Sequence, residues 1–206
     1  KKILEMWSGL GYNSRAKRMF ESSKIIAEKS FDGLYPDFQQ LPGVGPYTEN
    51  AILSFVYNEK VITEDINVKR IISRYFGVKN PKKFIESFSS LLLKNTESRK
   101  LNQALMDFGS IICRPRNPLC LNCPLENSCK KYFNLETKSQ EKFFGSNREL
   151  RGNLIKLLLK NGGLNIKTLQ KELNTENERL NKILKNLQKD GLVKFNKNNL
   201  IEINSS

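Results

Sequence analysis

The chain has 206 residues, a formal charge of +14 and no histidine. Its length suits one to two domains around a buried core, its 38% hydrophobic content fits a soluble globular protein, and no stretch approaches the roughly 18 apolar residues that span a membrane. Without His there is no Ser–His or Cys–His nucleophile and no His-ligated metal, so acid–base chemistry falls to Asp, Glu, Lys, Tyr or Cys.

The excess of Lys and Arg runs along the whole chain. It fits either a polyanionic partner, nucleic acid first, or a lysine-rich solvated surface. The chain opens on Lys1-Lys2-Ile3-Leu4, without Met and inside an amphipathic run, and reads as a piece whose beginning lies upstream. No targeting segment can be read, so a cytoplasmic location is expected. Ile3, Leu4 and Trp7 share a helical face that Gly9-Leu10-Gly11 breaks. A second helical run from Ser14 to about Lys29 carries Ala16, Met19, Phe20, Ile25 and Ile26. In "LPGVGPYTENAILSFVY" a Gly-rich turn opens a helix with Ala51, Ile52, Phe55 and Val56 inward. Residues 67–77, 82–94 and 101–112 read as further helices. No strand pattern of strength precedes residue 190, so the first part is all-α.

Residues 113–129 hold all four cysteines, Cys113, Cys120, Cys123 and Cys129, spaced C-x6-C-x2-C-x5-C. A disulfide pair is disfavoured in a cytosolic context. Structural zinc usually shows two close C-x2-4-C pairs, whereas only Cys120 and Cys123 form one here; an iron–sulfur cluster fits a single compact loop. Spacing alone leaves zinc and iron–sulfur both open. Residues 134–147 are polar and aperiodic, and read as a linker. Beyond it, helices are expected over Arg148–Lys160, Ile166–Leu173 and Glu176–Lys189, the last with Leu180, Ile183, Leu184 and Leu187 on one face. Asp190-Gly191 stops that helix, and "LVKF-NKNN-LIEI" reads as a β-hairpin with an Asn-rich turn. Three helices and a terminal hairpin make a winged helix. Its third helix carries Arg179, Lys182, Lys185 and Lys189, either a phosphate-facing surface or a solvated basic face.

In "LPGVG", Gly43 and Gly45 are expected to take positive φ and to bring backbone N–H groups close to a ligand, with Val44 between them. The following helix adds its free N–H groups and dipole at the same point. That is an anion seat without sequence preference, suited to a DNA phosphate; the plainer alternative is an ordinary turn.

The LPGVG hairpin, an Asp 20 residues later in "DINVKR", and the cysteine loop together resemble the helix-hairpin-helix DNA glycosylases that carry a [4Fe-4S] cluster. "WSGLGYNSRAKRM", "LPGVGPYT" and "NQALMDFGSIIC" are most similar to adenine glycosylases of the MutY type, over about residues 2–133. The resemblance implies a mainly α fold: a two-lobed core with residues 1–60 as a partial helical lobe and 61–133 as the cluster lobe, then the linker and a winged-helix domain over 148–206. It implies a [4Fe-4S] cluster on the four cysteines and, as partner, double-stranded DNA with a mismatched or oxidised pair, bound by a monomer. Such enzymes flip out an adenine opposite 8-oxoguanine or guanine and excise it. Asp65 matches the catalytic aspartate that stabilises the cationic sugar, and Asn67 the Asn beside it. Tyr47 stands where strand-cleaving relatives have a Schiff-base Lys, which implies a glycosylase without β-lyase activity. Tyr12 matches a residue that wedges into the DNA stack, the alternative being a half-buried core tyrosine; Arg15 lies in the same motif and is expected to touch DNA, as are Lys182 and Lys185.

Three departures stand out. The family's general acid, a Glu that protonates adenine, lies upstream of the Trp-x-Gly-Leu-Gly motif and outside this sequence, so the chain alone is expected to be nearly inactive. A winged helix stands where many members carry a Nudix-like domain that reads 8-oxoguanine. The usual Asp-Gly-Asn is Asp65-Ile66-Asn67. Glu64 reads as a solvated acid, and Lys69 and Arg70 either hold phosphate or brace the fold. A thymine- or uracil-mismatch glycosylase on the same scaffold and a non-catalytic iron–sulfur DNA binder are the competing readings.

Overall fold

The computed structural model describes residues 1–133 and 142–204; most of the expected linker, 134–141, lies outside the described residues. The chain is mainly helical, as the sequence predicts. It divides into two compact units, one of Lys1–Ser30 with the described residues of Ser139–Ser206, the other of the described residues of Phe31–Lys138. The boundary expected at residues 60 and 61 falls inside the second unit, because the Asn102 side chain bonds to Ser54 before it and to Val61 and Thr63 after it.

The first unit opens with α1 (Lys2–Met6) and α2 (Asn13–Lys29). It continues with α7 (Asn147–Asn161), α8 (Ile166–Leu173) and α9 (Asn177–Lys189). Each of α7 and α8 starts on a capping side chain: Ser146 accepts from the Glu149 N–H and Asn165 from the Thr168 N–H. Strands β1 (Val193–Phe195) and β2 (Ile201–Ile203) pair antiparallel with Lys194 opposite Glu202. A single bridge from Leu164 to Ile201 adds a third strand-like edge. This is the element order of a winged helix. Leu180, Ile183, Leu184 and Leu187 are buried together, as their spacing requires, against Leu154, Leu158 and Leu169. Leu4 and Ala16 join the same cluster, so α1 and α2 share the core of the C-terminal elements.

The second unit holds α3 (Pro46–Phe55), α4 (Ile66–Phe76), α5 (Pro81–Leu92) and α6 (Ser98–Ile111), with α3 and α4 both packed on α6. Its apolar cluster is Ile62, Val68, Ile72, Ile85 and Leu93. Val56, expected to face inward, is 56% exposed: α3 ends at Phe55, and Val56 follows as its C-cap on the outer side. Short 3-10 turns at Cys120–Asn122 and Glu126–Ser128 shape the cysteine loop. Among the described residues no helix is long and apolar enough to cross a membrane.

Candidate functional site

Asp65 is the N-cap residue of α4, in extended backbone with φ −77°. Its Oδ1 accepts the Val68 N–H at 2.6 Å, and its Oδ2 accepts the Asn67 side-chain amide at 2.9 Å. The carboxylate is therefore fixed in orientation, only partly buried, and seated at the positive end of a helix dipole. Ile66 begins the helix with an ordinary φ, so α4 accommodates its side chain without strain. Glu64, expected as a solvated acid, has a side chain only 18% exposed and pairs with Lys69 at 3.3 Å. The pair neutralises a carboxylate that would otherwise sit close to Asp65.

The backbone leading to Asp65 is held by a polar cluster that the sequence reading missed. The Asn102 side chain on α6 is fully buried; its Oδ1 accepts from the Thr63 N–H at 2.8 Å and from the Thr63 hydroxyl at 3.0 Å. Its amide nitrogen donates to Ser54 Oγ and to the Val61 carbonyl, both at 2.8 Å. Ser98 Oγ also donates to Val61 at 2.7 Å. A non-helical strand of chain has thus been given partners for its backbone groups inside the protein. The signal was present as Asn102 in "NQALMDFGSIIC", but a lone Asn in a helix does not declare its partner.

Arg70 braces the fold. It is 4% exposed; Nη2 donates to Asn67 Oδ1 at 2.8 Å and to the Gly109 carbonyl at 2.7 Å, while Nε donates to the Cys113 carbonyl at 2.8 Å. Burial pulls its guanidinium below the ordinary value; a charge at Cys113 works against this, the neighbouring Arg74 adds to it, and Asp65 also opposes it. Gly109 makes the approach feasible, since a Cβ there would stand 2.7 Å from that of Asn67.

All four cysteines are unbonded to one another. They line one small apolar pocket of about 40 Å³, together with Ile71, Arg74, Phe108 and Phe133. Arg74, one turn after Arg70, donates to the Arg114 carbonyl at 2.7 Å and the Pro115 carbonyl at 3.0 Å, reaches Cys113 Sγ at 3.5 Å, and lies 5.0 Å from the Phe133 ring centroid. Cys129 Sγ donates to the Arg74 carbonyl at 3.4 Å. A single zinc with Zn–S bonds of about 2.3 Å needs four sulfurs within about 4 Å of one another. Among the described residues no three His, Cys, Asp or Glu side chains stand in such a group. Four thiols lining one pocket, with a nearly buried guanidinium on its wall to offset thiolate charge, are the donor set that an iron–sulfur cluster takes.

In the hairpin Gly43 takes φ 88°, but Gly45 is extended at φ −109°, contrary to expectation. One left-handed residue suffices to reverse the chain, and Gly45 instead serves as N-cap of α3. No side chain caps that helix, and nothing stands within 4 Å of a Cβ added at Gly45, so the helix start is open to an incoming group. The Val44 N–H is committed to the Leu41 carbonyl at 3.0 Å and does not serve an anion. Glu49 turns back: its Oε1 accepts from the Phe38 and Gln39 N–H groups at 3.1 and 3.2 Å, which keeps its charge off the helix start. Tyr47 is 45% exposed in the first turn of α3.

In the first unit Tyr12 is 56% exposed, so it is no core residue, and it adopts φ 47°. Arg15 is exposed, with its guanidinium 5.7 Å from the Tyr12 ring centroid. On α9, Lys182, Lys185 and Lys189 are exposed. Arg179 is not part of that free face: it donates to Asn147 Oδ1 at 2.9 Å and to the Gly145 carbonyl at 2.6 Å, bracing the start of α7.

Residues 1–94 match the sequence model described as "HhH-GPD superfamily base excision DNA repair protein". The chain is 42% identical over 143 residues to the adenine DNA glycosylase of Buchnera aphidicola subsp. Baizongia pistaciae, covering 64% of this chain and 40% of that protein. It is 30% identical over 167 residues to the adenine DNA glycosylase of Mycolicibacterium smegmatis, covering 76% of this chain and 57% of that one. The chain thus spans about half the length of these curated relatives. A solved thermostable thymine-DNA glycosylase is similar with a TM-score of 0.55 and 32% identity, covering 64% of each chain.

Proposed function

We propose that this chain, whose residues 1–94 match the HhH-GPD superfamily of base excision DNA repair proteins, serves a monofunctional DNA glycosylase that removes adenine opposite 8-oxoguanine or guanine. The observation that carries this is the Asp65 carboxylate, oriented through both oxygens at the start of α4 and partly open to solvent. A flipped nucleotide exposes its glycosidic bond. When that bond breaks, its electron pair leaves with the base and positive charge develops on the sugar. A fixed carboxylate opposes that charge without reorganising. Water then adds at the sugar carbon, and the proton it gives up balances the negative charge that leaves with the base. Asn67 keeps Oδ2 of Asp65 aimed, and is itself held by Arg70. Tyr47 offers no amine, so the strand is left uncut.

The DNA backbone is received at Gly43–Gly45 and the open start of α3, with Tyr12 entering the stack and Arg15, Lys182 and Lys185 contacting phosphates. Cys113, Cys120, Cys123 and Cys129 would hold a [4Fe-4S] cluster. When bound, the cluster supplies four metal–thiolate anchors for the loop and a negative charge facing Arg74. The protein acts as a monomer on double-stranded DNA in the cytoplasm, at the nucleoid.

The test is base release by the natural protein from duplexes carrying A:8-oxoguanine, A:G and T:G. Adenine release from the first two, with no adduct trapped by borohydride, is expected. The 32% identity to a thymine-DNA glycosylase favours a second reading, excision of mispaired thymine; thymine release from T:G without adenine release would establish it instead. A strong borohydride adduct would overturn the monofunctional assignment.

A further inference from the structure

In the first unit a cavity of about 310 Å³ opens between the Gly9–Tyr12 turn and one face of α7. Its lining includes Gly9, Gly11, Arg148, Gly152, Asn153 and Lys156. Three of these residues, Arg148, Gly152 and Lys156, are spaced i, i+4, i+8 and form one stripe, with a cation one turn to either side of a glycine. Gly152 is the informative residue. It sits in the middle of a 15-residue helix, where Gly is disfavoured relative to Ala. Its φ is not positive, and nothing stands within 4 Å of a Cβ added there. Neither backbone conformation nor internal packing therefore asks for glycine. Its N–H is spent within the helix, and the missing side chain leaves open space between the two cations that an outside anion can enter.

The opposite wall also lacks side chains, there because the turn itself requires glycine. Gly9 and Gly11 take φ 91° and 68°, again with nothing within 4 Å of an added Cβ. Arg148 Nη1 donates to the Tyr12 hydroxyl at 3.3 Å, which joins the stripe to the residue assigned to the DNA stack. One acid, Glu149, also lines the cavity. Its carboxylate accepts the Gly145 N–H at 2.6 Å at the start of α7, where the helix dipole offsets its charge.

We propose that Arg148, Gly152 and Lys156 of α7, with the Gly9–Tyr12 turn, form a seat for the DNA phosphodiester backbone beside the Tyr12 wedge. The C-terminal elements then grip the duplex through α7, on a face separate from Lys182 and Lys185. This rests on the reading of the protein as a DNA glycosylase.

The discriminating variant is Gly152→Ala. As a helix-interior change into open space it raises the melting temperature or leaves it unchanged. The added methyl obstructs the approach of a phosphate to the two cations and weakens duplex binding by about fivefold near 0.15 M salt. The double variant Arg148→Gln/Lys156→Gln lowers the slope of log K against log salt by about 2. Binding is read by fluorescence anisotropy on an A:8-oxoguanine duplex at several salt concentrations. If the unaltered protein binds the duplex while Gly152→Ala binds equally well and the double variant keeps its slope, the seat is refuted and the glycosylase reading stands. If the unaltered protein binds no duplex, the glycosylase reading fails and takes the seat with it.

Discussion

The two units solve the problem of burial in opposite ways. The first is filled by aliphatic side chains from Leu4 and Ala16 to Ile203, and among its described residues the buried polar ones are two serines, Ser22 and Ser146. The second buries Ser54, Thr63, Arg70, Ser73, Arg74, Ser98 and Asn102 around a smaller apolar cluster. An aliphatic core accepts any side chain of the right volume. A buried polar group accepts only the partner that satisfies it, and its loss costs the full desolvation of whatever is left behind. The second unit therefore holds its elements in one arrangement, and that arrangement ends in Asp65 and the cysteine loop. The first unit is the more tolerant scaffold and presents its basic side chains on the outside.

This contrast can be broken at several points. Asp65→Asn should have the largest effect: a fall in adenine release of about 10³-fold or more, measured in single turnovers of the natural protein. Asn still accepts the Val68 N–H as a cap but turns its amide toward that of Asn67, so the melting temperature should fall only modestly. A parallel loss of stability would mean that Asp65 is only a cap. Asn102→Leu keeps the branched shape but strands the Thr63 N–H, at a cost of about 3 kcal/mol in denaturant unfolding. Leu184→Met in the other core should cost less than about 1.5 kcal/mol in the same assay. Equal costs would erase the distinction between the two interiors.

Gly109→Ala sharpens the comparison inside the second unit. The new methyl meets Asn67 at 2.7 Å and Ile71 at 3.3 Å, so about 1–3 kcal/mol of stability is lost. Because Asn67 orients Asp65, base release should fall along with it; a stability loss with unchanged release would detach Arg70 and Asn67 from the chemistry. The smallest effect belongs to the first unit. Lys182→Gln with Lys185→Gln should leave unfolding unchanged and lower the salt slope of DNA binding by about 2. An unchanged slope would leave that face of α9 as solvated surface.

Much of the fold was legible because it is periodic. Helix α8 was expected over Ile166–Leu173 and is found there, and the face of Leu180, Ile183, Leu184 and Leu187 is the core of its unit. The hairpin followed from its Asn-rich turn, since Asn199 takes the left-handed φ of 60° that the turn needs. Where the reading failed, local rules had reached their range. Val56 kept the helical period, but the helix had already ended; Gly45 looked like a turn residue and proved to be a cap. Glu64 looked solvated because its partner, Lys69, lies on the following helix turn.

The amino-acid order by itself determined the helices, the absence of histidine chemistry, the four-cysteine loop, and Asp65 as the acid worth following. Only the tertiary structure decided that Arg70 is a brace and not a phosphate contact, that Asn102 holds the segment before Asp65, and that Gly109 must lack a side chain. The physical reason is range. Periodicity, capping and turn chemistry act within a few residues and leave their mark in the sequence. A buried polar group is satisfied by whatever the fold brings beside it, and here those partners stand 39 to 43 residues away.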